Sequence, residues 1–225
     1  MKLMVMVTMT MSDSDLSRML KLYLVTDPVL HHGRGVEATC EIALKAGVRF
    51  VQLRDKTAST RSLYKSAVAL RELCRKHNSY FVVNDRIDVA MAARADGVHL
   101  GQSDMPADIA RSLMRPDAII GVSVRTVEEA KKAAKDGADY IAANLVFPTN
   151  TKKDIEKPLG LDMVSRLAGA SSLPLVAIGG ITPANTKLVM DAGCSGVAVV
   201  TAIMNADSPA LEVHRFLDIL VAASQ

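Results

Sequence analysis

Short runs of consecutive apolar residues recur along the chain, and each is followed by a longer stretch in which apolar residues return at helical spacing. Runs that are apolar throughout, rather than alternating, are typical of parallel strands buried on both faces. They predict eight strands, at Leu22–Thr26, Phe50–Leu53, Tyr80–Val83, Val98–Leu100, Ile119–Val122, Tyr140–Ala143, Leu175–Ile178 and Val197–Val200. The clearest helical stretches between them are Glu37–Ala46, Thr60–His77, Val127–Asp136 and Pro183–Ala192.

Glycine marks the ends of several predicted helices, since Gly47, Gly97, Gly137 and Gly193 each stand just before a predicted strand. Glycine ends a helix easily because it adopts the left-handed conformation at little cost. The alternation of eight strands with eight helix positions in 225 residues predicts an α/β protein with a single (β/α)8 barrel, the TIM barrel. An open, doubly wound sheet is the alternative, but it normally has a glycine-rich first turn, which is missing here.

The first residues of the chain differ from the rest. The segment Met1–Thr10 is rich in Met and Val, but no small-residue cleavage site follows it. We expect residues 1–19 to be an N-terminal extension, either disordered or the result of a start codon assigned too early, and residues 20–225 to form the barrel. No later run approaches the 18 or so apolar residues of a membrane span, so no membrane association is expected.

Composition narrows the choice of partners. The chain has 49% hydrophobic and 23% charged residues, which is typical of a globular protein with a sizeable core. A net charge of +3, no Trp, and only four Phe and four Tyr argue against nucleic-acid binding. Cys40, Cys74 and Cys194 show no CxxC spacing, which predicts buried free thiols and a cytoplasmic location.

Polar side chains cluster at the predicted strand ends, where barrel enzymes place their chemistry. After the second strand, Gln52, Arg54 and Lys56 are spaced by two residues, so an extended chain would place them on one face. Two cations and an amide on one face suit a polyanion such as diphosphate. The alternative is a solvated edge in which Asp55 is their local partner.

Two carboxylates follow the next strands, Asp85 after the third and Asp104 after the fourth. Neighbouring strand ends would bring them together, which is costly unless a proton or a cation lies between them. Oxygen ligands without a His or Cys cluster favour Mg²⁺ bridged to substrate phosphate. The alternative is that both aspartates cap helices. His99, late in an apolar strand, is interpreted as a hydrogen-bonded structural residue and not as a general base.

Groups suited to phosphate follow the remaining strands. Ser123 is either a phosphate donor or the cap of the helix that begins near Val127. Gly180 ends the seventh strand and Thr201 follows the eighth, and loops after these two strands commonly form a phosphate site in this fold. After the sixth strand, the run Val146–Asp154 combines hydroxyl groups with lysines, which suits an anion cradle.

Seven short sequence motifs occur along this chain in the same order as in a known protein family, which makes the resemblance to that family specific. They are Leu22-Tyr23-Leu24-Val25-Thr26-Asp27, Gln52-Leu53-Arg54-Asp55-Lys56, Asn84-Asp85, Gly97-Val98-His99-Leu100-Gly101-Gln102-Ser103-Asp104, Gly121-Val122-Ser123, Pro148-Thr149-Asn150-Thr151-Lys152-Lys153-Asp154 and Ile178-Gly179-Gly180-Ile181-Thr182. From about Leu20 to Leu220 the chain closely resembles the thiamine phosphate synthase family. The resemblance implies a (β/α)8 transferase of thiamine biosynthesis. Such an enzyme joins 4-amino-2-methyl-5-(diphosphooxymethyl)pyrimidine to a thiazole phosphate, giving thiamine phosphate and diphosphate by an SN1-like, magnesium-assisted displacement.

The resemblance also implies roles for individual residues. The pyrimidine diphosphate would contact Gln52, Leu53, Arg54, Asp55, Lys56, Asn84, Ser123 and Lys152. Of these, the residues taken as catalytic are Arg54, Lys56, Asn84, Ser123 and Lys152. Mg²⁺ would bind Asp85 and Asp104, and the thiazole phosphate would contact Thr149, Asn150, Thr151, Gly180, Val200 and Thr201. The expected partners are the two small substrates, with a homo-oligomer left open.

One segment departs from the family pattern. The sixth strand ends in Ala142-Ala143-Asn144-Leu145 where the family usually has Gly-x-Gly-Pro, which places an amide near the thiazole pocket. Two alternatives therefore stand beside the synthase: a thiazole-phosphate tautomerase of the same barrel family, and a non-catalytic binder of the thiamine pathway. An isomerase has no leaving diphosphate to neutralise, so the tautomerase is disfavoured by five retained residues: Arg54, Lys56, Asp85, Asp104 and Lys152.

Overall fold

Eight parallel strands close into a barrel in sequence order, from β1 to β8 and back to β1. This is seen in a computed structural model, which describes residues 13–149 and 157–223. The strands are β1 (Leu22–Val25), β2 (Phe50–Leu53), β3 (Tyr80–Asn84), β4 (Gly97–Leu100), β5 (Ile119–Val124), β6 (Tyr140–Asn144), β7 (Leu175–Ile178) and β8 (Gly196–Val199). The predicted (β/α)8 fold is therefore confirmed, with β2 and β7 matching their predicted bounds at both ends.

Helices follow the strands and pack around the barrel. They are α1 (Asp13–Met19), α2 (Val36–Ala46), α3 (Thr60–Lys76), α4 (Ile87–Ala92), α5 (Ala107–Leu113), α6 (Val127–Lys135), α7 (Gly160–Ala170), α8 (Pro183–Asp191), α9 (Thr201–Met204) and α10 (Pro209–Ala222). Two of them, α9 and α10, follow β8, so the last strand is succeeded by a short extra helix before the final long one. Within the described ranges, no helix has the length and apolarity needed to cross a bilayer.

Successive strand residues face opposite sides of the barrel wall, as the two-residue period of a strand requires. In β2, Phe50 belongs to the inner cluster of the barrel, whereas Val51 and Leu53 belong to the large outer cluster between strands and helices. The inner cluster also contains the rings of Tyr23 and Tyr140. Both faces are buried, which explains why the strands are apolar throughout.

Helix α1 contributes to the inner cluster from before the first strand. Leu16 and Leu20 are buried and pack with the inward-facing residues of the barrel. Residues 13–19 of the predicted N-terminal extension are therefore helical and packed, while its residues 1–12 lie outside the described residues. The three cysteines are buried free thiols, as predicted.

Candidate active site

A cavity of about 560 Å³ opens at the carboxyl ends of the strands, the end at which barrel enzymes place their active sites. Eight of the predicted site residues line it, and they come from the ends of five different strands and from the loop after β6. They are Gln52, Arg54, Asn84, Ser123, Thr149, Gly180, Val200 and Thr201. Three further predicted residues, Asn150, Thr151 and Lys152, lie outside the described residues.

The floor of the cavity is a chain of hydrogen bonds across the barrel interior. The amide nitrogen of Gln52 donates to the Tyr23 hydroxyl, which lies 3.0 Å from the Tyr140 hydroxyl. His99 then joins Tyr140 to Ser123, because its Nδ1 lies 2.9 Å from the Tyr140 hydroxyl and its Nε2 lies 3.0 Å from the Ser123 hydroxyl. The interpretation of His99 as a hydrogen-bonded buried residue is confirmed.

The two tyrosines were missed by sequence reasoning, although they are polar residues at inward-facing positions of apolar strands. Burial raises the pKa of Tyr23 and of Tyr140 well above the usual value of 10. Both phenols therefore keep their protons at any pH at which the protein works, and each can donate one hydrogen bond. The alternative role of Ser123 as a helix cap is wrong, because Thr126 caps α6 through a capping box with Glu129.

The end of β2 presents Arg54 to the cavity. Its backbone N–H donates to the buried Thr26 hydroxyl at 2.9 Å, which fixes the end of β2 against the end of β1. The Arg54 guanidinium makes no hydrogen bond or ion pair with any residue that the structure describes, yet it lines the cavity. An unpaired cation facing a cavity favours an anionic ligand. Gln52 and Arg54 thus share one face, as the two-residue spacing predicts.

Two neighbours in the same motif, Leu53 and Asp55, have side chains that make other contacts in the structure. The side chain of Leu53 packs in the outer cluster between the barrel and the helices. The carboxylate of Asp55 accepts hydrogen bonds from the backbone N–H groups of Thr57 and Ala58 and from the Thr57 hydroxyl, at 2.8 to 3.0 Å. Asp55 therefore stabilises its own turn and is not the partner of Lys56.

Lys56 instead pairs with Asp85, with 3.4 Å between the ammonium nitrogen and the carboxylate. Asp85 has a left-handed backbone with φ of 61°, which Asp tolerates better than most residues. Burial raises the pKa of Asp85, and the hydrogen bond and negative charge of Asp104 raise it further, while Lys56 opposes them. The predicted approach of the two carboxyl groups is therefore present in the fold.

The alternative that these aspartates cap helices is wrong. The residue at the N-cap position is Arg86 for α4 and Pro106 for α5. Asp104 accepts a hydrogen bond of 2.7 Å from the backbone N–H of Gly101 and so holds the loop after β4. Capping depends on the exact backbone path at the helix start, and the left-handed Asp85 turns the chain away from it.

The pair of carboxylates fits Mg²⁺ better than a metal that needs a full protein cage. No group of three or more His, Cys, Asp or Glu residues suited to a metal exists in ranges 13–149 and 157–223. Mg²⁺ is typically held by one or two carboxylates, with water and substrate phosphate completing its shell. The raised pKa of Asp85 marks the place where a cation would relieve repulsion between the two carboxyl groups.

The opposite side of the cavity is formed by the ends of β7 and β8. Gly179 and Gly180 have positive φ values of 100° and 65°. A Cβ at Gly179 would lie 2.1 Å from the Leu145 side chain, and one at Gly180 would lie 2.6 Å from the Pro148 carbonyl oxygen. Both glycines therefore allow the loop after β6 to lie directly against the end of β7. Asn144 lines the same cavity, so the amide expected near this pocket is present there.

Arg125, which sequence reasoning did not single out, holds the base of the loop after β6. Its guanidinium donates to the carbonyl oxygens of Asn144 and Lys157, each at 2.7 Å. The backbone N–H of Leu159 donates to the Leu145 carbonyl oxygen at 2.8 Å beside it. The two sides of this loop are thus tied together at its base.

Comparisons with known proteins agree on one family. A family model described as thiamine monophosphate synthase matches residues 22–203. A thiamine-phosphate synthase of Clostridium novyi is 46% identical over 187 residues, which cover 83% of this chain and 92% of that protein. One of Chloroflexus aurantiacus is 45% identical over 205 residues, covering 91% of this chain and 94% of the relative.

A solved structure supports the same assignment. The thiamine phosphate pyrophosphorylase from Pyrococcus furiosus superposes with a TM-score of 0.85 at 38% sequence identity, covering 93% of this chain and all of that one. The family match and the relatives' identity both extend through all eight strands of the barrel. The chain therefore belongs to the thiamine monophosphate synthase family.

Proposed function

We propose that the protein is a thiamine-phosphate synthase, which joins a pyrimidine diphosphate to a thiazole phosphate and releases diphosphate. One observation carries the proposal: a single cavity is lined both by residues from the ends of β2 and β3 and by residues from the ends of β7 and β8. Arg54 lines one end, where Lys56 pairs with Asp85 in the turns that follow these strands, and Gly180 and Thr201 line the other. A cavity with two such ends suits two phosphorylated substrates that meet between them.

The diphosphate end is the one that carries charge. We assign the diphosphate to Arg54, Lys56 and Asn84, with Ser123 as a hydroxyl donor and Gln52 on the pyrimidine side. Lys56, which pairs with Asp85, would contact the diphosphate, and Asp85 and Asp104 would hold Mg²⁺. The resemblance adds Lys152 to this end, which stays an expectation because that residue lies outside the described ranges.

The thiazole phosphate end has neutral donors. Gly180 and Thr201 stand after β7 and β8 and line the cavity, so their backbone N–H groups and the Thr201 hydroxyl would be the donors to this phosphate. Thr149 adds a hydroxyl from the loop after β6. Asn150 and Thr151 belong to this end by resemblance alone. Backbone N–H groups hold a phosphate monoester without the strong positive charge that a leaving diphosphate needs.

The chemistry requires charge stabilisation more than proton transfer. The carbon–oxygen bond to diphosphate breaks, and its electron pair leaves with the diphosphate. Arg54 and Lys56 would stabilise the charge that develops there. Mg²⁺, when bound, neutralises the leaving group as a Lewis acid. The aminopyrimidine carries the positive charge on its methylene carbon, to which the thiazole nitrogen forms the new bond. No enzyme nucleophile is needed for this sequence of steps.

A tautomerase would not need the charged groups that lie at the diphosphate end. An isomerase of a thiazole phosphate moves a proton and releases no diphosphate. Burial and the neighbouring Asp104 raise the pKa of Asp85, and a cation that accompanies a diphosphate substrate would relieve the repulsion between the two carboxylates. We also place the reaction in the cytoplasm, because three buried free thiols suit a reducing compartment.

The deciding experiment supplies both phosphorylated substrates with Mg²⁺ and follows diphosphate and thiamine phosphate together. We expect equal amounts of the two products. Arg54→Ala should lower kcat/KM by at least about 100-fold, since it removes charge-assisted hydrogen bonds to the leaving group. Arg166→Ala, at an exposed position on α7, is the matched control and should be unaffected. Folded protein that forms neither product would refute the proposal, and isomerisation of the thiazole phosphate alone would favour the tautomerase.

A further inference from the structure

The cavity floor connects two groups that the proposed function assigns to the pyrimidine substrate. Gln52 stands at one end of the hydrogen-bonded chain and Ser123 at the other, with Tyr23, Tyr140 and His99 between them. Tyr23 and Tyr140 are at most 1% exposed, and His99 is 6% exposed. These five residues come from five different strands, so the chain crosses the whole interior of the barrel.

The direction of every hydrogen bond in this chain follows from its first member. The amide nitrogen of Gln52 can only donate, so the Tyr23 oxygen accepts from it. Because a buried O–H is rarely left without an acceptor, we infer that Tyr23 gives its own proton to Tyr140. Tyr140 has one proton as well and gives it to Nδ1 of His99. His99 must then carry its proton on Nε2, which donates to Ser123. The Ser123 hydroxyl proton is left to point into the cavity.

We propose that Tyr140 and His99 are positioning residues that fix the hydrogen-bonding direction of Gln52 and Ser123 toward the pyrimidine diphosphate. In this direction Gln52 presents its carbonyl oxygen to the substrate, an acceptor that suits the exocyclic amine of an aminopyrimidine. Ser123 presents a donor, which suits an oxygen of the diphosphate. The identity of the substrate in this statement rests on the proposed function, whereas the direction of the chain does not.

Reversing the direction of the hydrogen bonds would exchange the donors and acceptors that Gln52 and Ser123 present to the cavity. If the Gln52 amide were turned, Tyr23 would donate to its oxygen and each later bond would reverse. His99 would then be protonated on Nδ1, and Ser123 would donate to His99 and offer only lone pairs to the cavity. Lone pairs repel diphosphate oxygens. The two directions therefore differ in one measurable property, the tautomer of His99, and in the chemistry that the floor presents.

The tautomer is measured directly by NMR on the ligand-free protein labelled with ¹⁵N in its histidines, at neutral to slightly alkaline pH. Protonated and unprotonated ring nitrogens resonate far apart, and the signals of His99 are identified by their loss in His99→Gln. We expect the proton on Nε2. A proton on Nδ1 would overturn the proposed direction. This result does not depend on activity, so it separates failure of this inference from failure of the proposed function.

Kinetics test the positioning role. Tyr140→Phe removes the middle hydroxyl, and we expect the KM for the pyrimidine diphosphate to rise about fivefold, the effect of one hydrogen bond. The KM for the thiazole phosphate should stay within about twofold. Tyr80→Phe, a half-buried tyrosine at the start of β3, is the matched control and should change neither value. An unchanged pyrimidine KM, or equal rises in both KM values, would overturn the positioning role.

A second variant covers the case in which Tyr140→Phe folds poorly. His99→Gln keeps a side-chain amide that can donate to Ser123, whereas His99→Leu cannot donate at all. We expect His99→Gln to retain the wild-type pyrimidine KM within about threefold and His99→Leu to raise it by about tenfold or more. Equal KM values for the two variants would contradict a role that depends on donating to Ser123.

Discussion

Replacing Asp85 with Asn should separate activity from stability. The substitution keeps the shape of the side chain, and Asn tolerates the left-handed φ of 61° as well as Asp does. It removes the charge that burial and Asp104 disfavour, because both raise the pKa of Asp85. It also removes the ion pair with Lys56, whose side chain is 61% exposed.

The two effects on stability oppose each other. An exposed ion pair contributes about 0 to 1 kcal/mol, so its loss costs at most about that much. Relief of the buried like-charge contact with Asp104 acts in the opposite direction and favours the folded variant. We therefore expect the free energy of unfolding of Asp85→Asn to stay within about 1 kcal/mol of wild type.

Activity should respond very differently. A neutral amide is a poor ligand for Mg²⁺, so kcat/KM should fall by at least about 100-fold, or about 2.7 kcal/mol in transition-state stabilisation. The assay compares product formation over a range of Mg²⁺ concentrations with urea unfolding in EDTA. Asp218→Asn, at an exposed position on α10, is the matched control. A fall in stability as large as the fall in activity would show that Asp85 is a structural residue, and unchanged activity would refute its role at the diphosphate end.

Three further changes test other parts of the structure. Burial raises the pKa of Asp96, so its carboxyl favours folding below about pH 4 and loses this contribution as pH rises through the folded-state pKa. Urea unfolding of Asp96→Asn between pH 4 and 7 should therefore show a smaller loss of stability with rising pH than wild type, and an identical pH profile would contradict this. Gly179→Ala should lower the free energy of unfolding by about 2 kcal/mol or more, because its Cβ would lie 2.1 Å from Leu145 at a φ of 100°. Gly169→Ala, which has open space in α7, is the control and should stabilise the protein slightly, and equal effects of the two changes would count against close packing at Gly179. Asn144→Gly should change the KM for the thiazole phosphate and spare that for the pyrimidine diphosphate, and the reverse pattern in steady-state kinetics would place Asn144 at the wrong end of the cavity.

The strands could be predicted from sequence because each is a short apolar run that both barrel faces bury. In β2 the run Phe50–Leu53 was predicted with its observed bounds. Strand alternation also placed Gln52 and Arg54 on the cavity side, and the same alternation turns Leu53 away from it. Local pattern was enough in these cases, because the information lies within a few neighbouring residues.

The cavity floor could not be predicted in this way. Tyr23 and Tyr140 are 117 positions apart, and their hydroxyl groups meet only because the barrel closes with a particular register. The sequence allowed Asp85 and Ser123 to be interpreted as helix caps, because capping depends on backbone angles that a sequence does not specify. In the structure other residues, Arg86 and Thr126, occupy the N-cap positions of the two helices. Arg125 was missed for a related reason, since its carbonyl partners, Asn144 and Lys157, are 19 and 32 positions away along the chain.

The aromatic rings below the cavity also limit how the size of the substrate-binding cavity can be altered. Beneath the hydrogen-bonded chain, the ring of Phe50 lies 4.6 Å from that of Tyr23 and 5.7 Å from that of Tyr140. These rings fill the interior, so the cavity cannot deepen without a loss of core packing. Variation in ligand size must therefore be accommodated sideways, by the loops at the rim. A library aimed at bulkier pyrimidines or thiazoles should vary the loops after β1 and β6 and leave the inward-facing tyrosines unchanged.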